Sequence, residues 1–103
     1  MANESYEEWE LELYRDIVKD IKEKFDSYEI EVMIRIYRWT KSERNPYFFS
    51  HICKRESGYK KSLKYLRSQG LIRLVKSNDP HKITKDGIRT GRLMLLCQDL
   101  GFL

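Results

Sequence analysis

Residues 57–87 read SGYKKSLKYLRSQGLIRLVKSNDPHKITKDG, and this stretch decides the fold. At about 100° per residue, Tyr59, Leu63 and Leu66 fall in one narrow sector, with Lys60, Lys61, Lys64, Tyr65 and Ser68 on the other side. The spacing predicts an amphipathic helix from Tyr59 to about Gln69. Ser57 is placed to cap its start, and Gly70 stands where a left-handed residue closes a helix. The aliphatic run from Leu71 to Lys76 predicts a strand, and Ser77-Asn78-Asp79-Pro80 is turn chemistry. Lys82-Ile83-Thr84 then returns as a short second strand, and Thr84 can cap a final helix beginning near Lys85.

Upstream, Asn45-Pro46 predicts another helix start, because asparagine caps free N–H groups and proline tolerates the first helical position. Phe48, Phe49, Ile52 and Cys53 would form the apolar face of a short helix over residues 46–55. Asp26 with Glu29 has capping-box spacing, so a helix starts near Ser27 and ends in the polar residues 40–44. One continuous bent helix is the alternative. Ser5 with Glu8 has the same spacing, and Leu11, Tyr14, Val18, Ile21, Phe25 and Tyr28 recur at helical intervals, predicting a helix from about residue 5 to 25. Its apolar stripe is wide enough for packing either on its own domain or on a second subunit.

The last helix carries Leu93, Met94, Leu95, Leu96, Cys97 and Leu100 and leaves little polar surface. A helix apolar nearly all round is buried from several sides. It is therefore expected against the N-terminal helix, a second subunit, or both. The order is α-α-α-α-β-β-α, a mainly helical α+β chain with a small β-hairpin.

Length and composition narrow the class. The 103 residues are 41% hydrophobic, which suits one folded domain with a small core. No apolar run approaches a membrane span and the N-terminus is acidic, so a cytoplasmic protein without a membrane partner is expected. Cys53 and Cys97 lie far apart, without a CxxC or a His/Cys cluster, which argues against zinc. They are expected as buried free thiols, or as a disulfide if the source is a hyperthermophile. His51 and His81 have no cysteine or carboxylate partner by spacing, and there is no glycine-rich phosphate loop or nucleophile motif. No enzyme activity, metal or cofactor is expected.

Charge points elsewhere. Residues 1–34 hold 11 acidic and 4 basic side chains, a net of −7, whereas residues 35–103 hold 5 acidic and 16 basic, a net of +11. No acidic residue occurs from Ser57 to Asn78. A merely soluble helix usually mixes signs, because Glu–Lys pairs one turn apart stabilise it. One-sided positive charge of this size is the electrostatic footprint of a polyanion partner.

Two phrases carry a resemblance. LxxLRSQGLIRLV, residues 63–75, is similar to the recognition-helix-to-wing junction of the MarR and PadR-like transcriptional regulators, and KITKDG, residues 82–87, resembles the LTxxG that follows the wing there. The resemblance covers roughly residues 28–100 and describes a scaffold shared by many winged helix-turn-helix families. Small winged-helix proteins of archaea, their viruses and plasmids are the most similar in size and style.

The resemblance implies an acidic N-terminal helix (1–27), a winged helix-turn-helix core (28–86) and an apolar C-terminal helix (87–103), with the terminal helices forming a homodimer. It implies a double-stranded DNA-binding transcription regulator, acting mainly as a repressor, with residues 59–69 in the major groove and the wing, residues 76–82, on the backbone. Lys60, Lys61, Lys64, Tyr65 and Ser68 would then contact DNA from the recognition helix, and Lys76, Ser77, Asn78, His81 and Lys82 from the wing. Asn45, Lys54, Arg55 and Ser57 would hold the flanking strand. The recognition helix has no arginine on its most outward part, and lysine is the poorer match for bidentate reading of guanine. A winged-helix module for a protein partner and a non-specific architectural DNA-binding protein are the alternative expectations.

Overall fold

The structure is a computed structural model and describes residues 6–54, 58–76 and 79–103. In chain order it contains α1 (Glu8–Lys24), α2 (Ser27–Glu43), β1 (Tyr47–Phe48), a 3-10 turn (Ser50–Cys53), α3 (Tyr59–Ser68), β2 (Ile72–Leu74), β3 (His81–Ile83) and α4 (Lys85–Asp99). Among the described residues, four helices thus accompany one small antiparallel sheet of order β1-β3-β2.

The centre of the domain is α2. Asp26 starts it as its sequence implies: Asp26 Oδ1 accepts from Glu29 N at 2.8 Å, and Glu29 Oε1 accepts from Asp26 N at 2.9 Å. The two helices are therefore separate, with Phe25 and Asp26 extended between them. Ile30, Val32, Met33, Ile34, Ile36 and Tyr37 of α2 are all buried, because α3, α4, β1, β3 and the 3-10 turn pack around this one helix.

The surrounding elements show why local rules hold or fail. In α1 the first helical residue is Glu8 and the N-cap is Glu7, whose N–H donates to Glu10 Oε1 at 3.0 Å; the Ser5–Glu8 box is replaced by one shifted downstream, and Ser5 lies outside the described residues. The helix expected over residues 46–55 is replaced by β1 and a single 3-10 turn. Asn45 Oδ1 accepts from Tyr47 N at 3.0 Å, a local turn bond rather than a helix cap. Pro46 O accepts from Ile83 N at 2.9 Å, so the chain is drawn into the sheet. Burial then alternates, with Tyr47 out, Phe48 in and Phe49 out, which is strand periodicity.

The hairpin forms close to expectation, with Ile72 opposite Ile83, Arg73 opposite Lys82 and Leu74 opposite His81. β1 adds Tyr47 opposite Lys82 and Phe48 opposite His81. Thr84 caps α4, accepting from Gly87 N at 3.0 Å while its own hydroxyl lies 2.7 Å from Gly70 O.

The main seat of α4 is α2, with α1 touching it less extensively. The expected packing of α4 on the N-terminal helix is thus present, and α2 adds the larger support that the sequence pattern did not indicate. Two glycines allow the close approach: a β-carbon on Gly91 would stand 2.6 Å from Tyr37 Cβ, and one on Gly87 would stand 2.0 Å from Leu71 O. Met94 and Cys97 are buried beneath α4, while Ile88 and Leu96 remain exposed. No helix among the described residues is long and apolar enough to cross a membrane.

Candidate nucleic-acid interface

α3 is fixed to the core by Leu63 and Leu66, both buried, each worth about 1.5–3 kcal/mol relative to exposure. Its C-terminus closes in a Schellman arrangement: Leu71 N donates to Leu66 O at 3.1 Å and Gly70 N to Arg67 O at 3.0 Å, with Gly70 at φ 74. Gly58, not Ser57, is the N-cap, at φ 87; Ser57 lies outside the described residues, as do Arg55, Ser77 and Asn78.

This anchoring turns Lys60, Lys61 and Lys64 outward together. All three are exposed, and none forms an ion pair with a described residue. Lys61 shares a cleft with Asp26 and Glu29, but those carboxylates already accept the capping bonds of α2.

The flanking polar residues are engaged inside the molecule instead. Tyr65 is half-buried, its ring edge-on to Phe25 at 5.8 Å and its hydroxyl donating to Lys24 O at 2.5 Å. That bond satisfies a carbonyl left open at the C-terminus of α1. The Ser68 hydroxyl is exposed but donates to Tyr65 O at 2.5 Å. Neither side chain is the free outward group expected from the helical projection: α1 ends beside Tyr65, and Ser68 turns back onto the carbonyl of its own helix.

On the opposite flank Arg67 Nη1 lies 2.9 Å from His81 Nε2. A guanidinium only donates, so Nε2 is the acceptor and Nδ1 carries the proton. Nδ1 in turn lies 2.8 Å from Asp79 Oδ1, and Asp79 Oδ2 accepts from Ser50 N at 3.0 Å and Ser50 Oγ at 2.7 Å. Burial tends to raise the Asp79 carboxyl, but the bonds from Ser50 and His81 outweigh it and hold the group below its ordinary range. His81 is only 4% exposed and stacks on Phe48 at 5.4 Å. It is therefore a structural residue joining α3, the β2–β3 connection and the 3-10 turn, not the exposed wing contact expected from sequence.

The outer face of the sheet holds a row that sequence reasoning took only in part. Arg73, Lys82 and Tyr47 are cross-strand neighbours on β2, β3 and β1, and Lys82 Nζ lies 5.4 Å from the Tyr47 ring centroid. The alternation Ile72-Arg73-Leu74 could have identified Arg73 as outward-facing. Lys76 is exposed beyond the end of β2, Lys54 is exposed after the 3-10 turn, and Asn45 is exposed with its side-chain oxygen engaged by Tyr47 N.

Cys53 and Cys97 are free and buried, so the disulfide alternative is not realised. Burial pushes the Cys53 thiol up to about 12, with Arg35 pulling it down and Asp79 adding to the rise by smaller amounts, which leaves it protonated at neutral pH. No cluster of three or more His, Cys, Asp or Glu suited to a metal occurs among the described residues. Comparison of the chain with protein-family models, curated proteins and solved structures returns no match.

Proposed function

We propose that this chain is a winged helix-turn-helix protein that binds double-stranded DNA as a homodimeric transcription regulator, with α3 in the major groove. The observation that carries the reading is the lysine face of α3, where Lys60, Lys61 and Lys64 project together without an ion-pair partner among the described residues. The succession α2, β1, 3-10 turn, α3, β2 and β3, with β1 beside β3, supports the winged arrangement. Lys82 and Arg73 extend positive charge onto the sheet beside it. Phosphate contacts from these residues position the protein, and base contacts from α3 specify the site.

The test is duplex binding measured against salt. Neutralising six to ten phosphates lowers affinity about 10³- to 10⁵-fold between 50 and 200 mM salt. A flat response overturns the reading. Selection of bound duplexes from a random pool separates a regulator from a non-specific architectural protein, and half-sites about one helical turn apart support a two-fold dimer.

A second reading, a module for a protein partner, draws on a specific observation. Trp9 and Leu13 on α1 are 64% and 53% exposed. A monomer in solution with no duplex affinity at low salt favours it; a stable homodimer accounts for those side chains without another partner.

A further inference from the structure

The outer face of the sheet carries aromatic rings as well as charge, and the lysine face of α3 does not account for the rings. Phe48 is turned into the core, whereas Tyr47 and Phe49 are 43% and 52% exposed. Phe49 keeps an extended backbone, so strand periodicity runs one residue past β1 and puts both rings on one side. The exposed His51 ring lies against Phe49, with centroids 6.0 Å apart and planes 21° from parallel. This pair lengthens the row of rings beyond the sheet.

Cations stand beside the rings. Tyr47 opposes Lys82 and Lys82 opposes Arg73 across the three strands, and directly opposed residues share a face. Lys82 Nζ stands over the Tyr47 ring at 5.4 Å from its centroid, a position that still leaves much of the ring to solvent. Neither Lys82 nor Arg73 forms an ion pair among the described residues. Asp79, the carboxylate nearest to β3 in the chain, is turned away from them and accepts from Ser50 and His81.

We propose that this face binds a single-stranded nucleic acid, with unpaired bases stacked on Tyr47 and Phe49 and phosphates held by Lys82 and Arg73. Rings set beside cations fit such a partner, because every base has a face that stacks on an aromatic ring and the backbone is a line of negative charge. A duplex keeps its base faces in its own stack, so it can use the cations and leaves the rings idle. An acidic peptide likewise uses the cations alone. The rings belong to β1 and the residues after it, and the inference does not rest on duplex binding by α3.

Labelled oligothymidylate and oligouridylate of about ten nucleotides, an abasic strand of the same length and an oligoglutamate peptide are titrated against the full chain by fluorescence anisotropy at about 50 mM salt. Saturable binding of an oligonucleotide is expected, with the abasic strand and the peptide each at least about ten-fold weaker. Tighter oligouridylate binding assigns RNA through its 2′-hydroxyl, and tighter oligothymidylate binding assigns DNA. Tyr47→Thr and Phe49→Thr keep strand propensity, and each is expected to weaken the oligonucleotide about ten-fold with unchanged circular dichroism. Phe49→Thr leaves duplex affinity as it was. Alanine at Lys60, Lys61 and Lys64 together is expected to weaken duplex binding about 100-fold and to keep oligonucleotide affinity within about three-fold. Single-strand binding without duplex binding therefore removes the reading of α3 and supports this one. Absence of saturable oligonucleotide binding overturns the proposal. So does equal affinity for the abasic strand or the peptide, which marks a plain cationic patch. Oligonucleotide binding lost in the lysine variant and indifferent to both ring variants moves the strand to α3 and also overturns it.

Discussion

The lysine face of α3 and the polar side chains of its C-terminal half share one short helix and have opposite fates. Lys60, Lys61 and Lys64 carry charge into solvent with no ion-pair partner among the described residues. Tyr65, Arg67 and Ser68, next along the helix, are committed to bonds with Lys24, His81 and the helix backbone. All six side chains are polar at one end, so polarity does not separate the two groups. What separates them is whether another element ends beside that part of the helix, as α1 does beside Tyr65 and the sheet does beside Arg67.

If the division is real, the two regions respond to different measurements. The largest effect is expected from replacing Lys60, Lys61 and Lys64 by alanine. Duplex affinity should fall about 100-fold near physiological salt and the salt slope by about one per lysine, while stability changes by less than about 0.5 kcal/mol. A loss of stability comparable to the loss of binding would erase the distinction. His81→Ala should do the reverse, costing about 2 kcal/mol in denaturant unfolding because Arg67 and Asp79 lose their shared partner, while the salt slope stays unchanged.

Tyr65→Phe sharpens the boundary further. It should cost about 1 kcal/mol of stability through the lost bond to Lys24 O, with duplex affinity of the folded protein unaltered. The smallest effect is the acid limb. Asp79 is held below its ordinary value, so its contribution is present above the unfolded value near 3.8 and is lost as pH falls through the lower folded value. Asp79→Asn should flatten that part of a stability–pH curve; an unchanged slope there would remove Asp79 from the bonds around His81.

Legibility in the sequence followed the range of the interaction. Asp26–Glu29, Gly70 and Thr84 act on their own or adjacent turns, and each sits where its residue type implied. The lysine face was equally readable, because helical projection needs only the helix. β1 was not, since a two-residue strand exists through Pro46, Tyr47 and Phe48 meeting β3, a pairing invisible to a local window. His81 failed for the same reason. Its position suggests a loop tip, but Phe48 and Arg67, distant in sequence, hold it inside.

The seat of α4 carries a consequence for ancestry. Gly87 faces a backbone carbonyl and Gly91 faces the base of the Tyr37 side chain, and neither neighbour can swing aside to admit a methyl group. A relative that keeps this helix crossing is therefore constrained to glycine at both places, one turn apart, with an aromatic residue about fifty positions earlier. Surface lysines can drift from lineage to lineage under the demands of different targets. This buried spacing is the more durable fingerprint by which distant kin of the chain can be recognised.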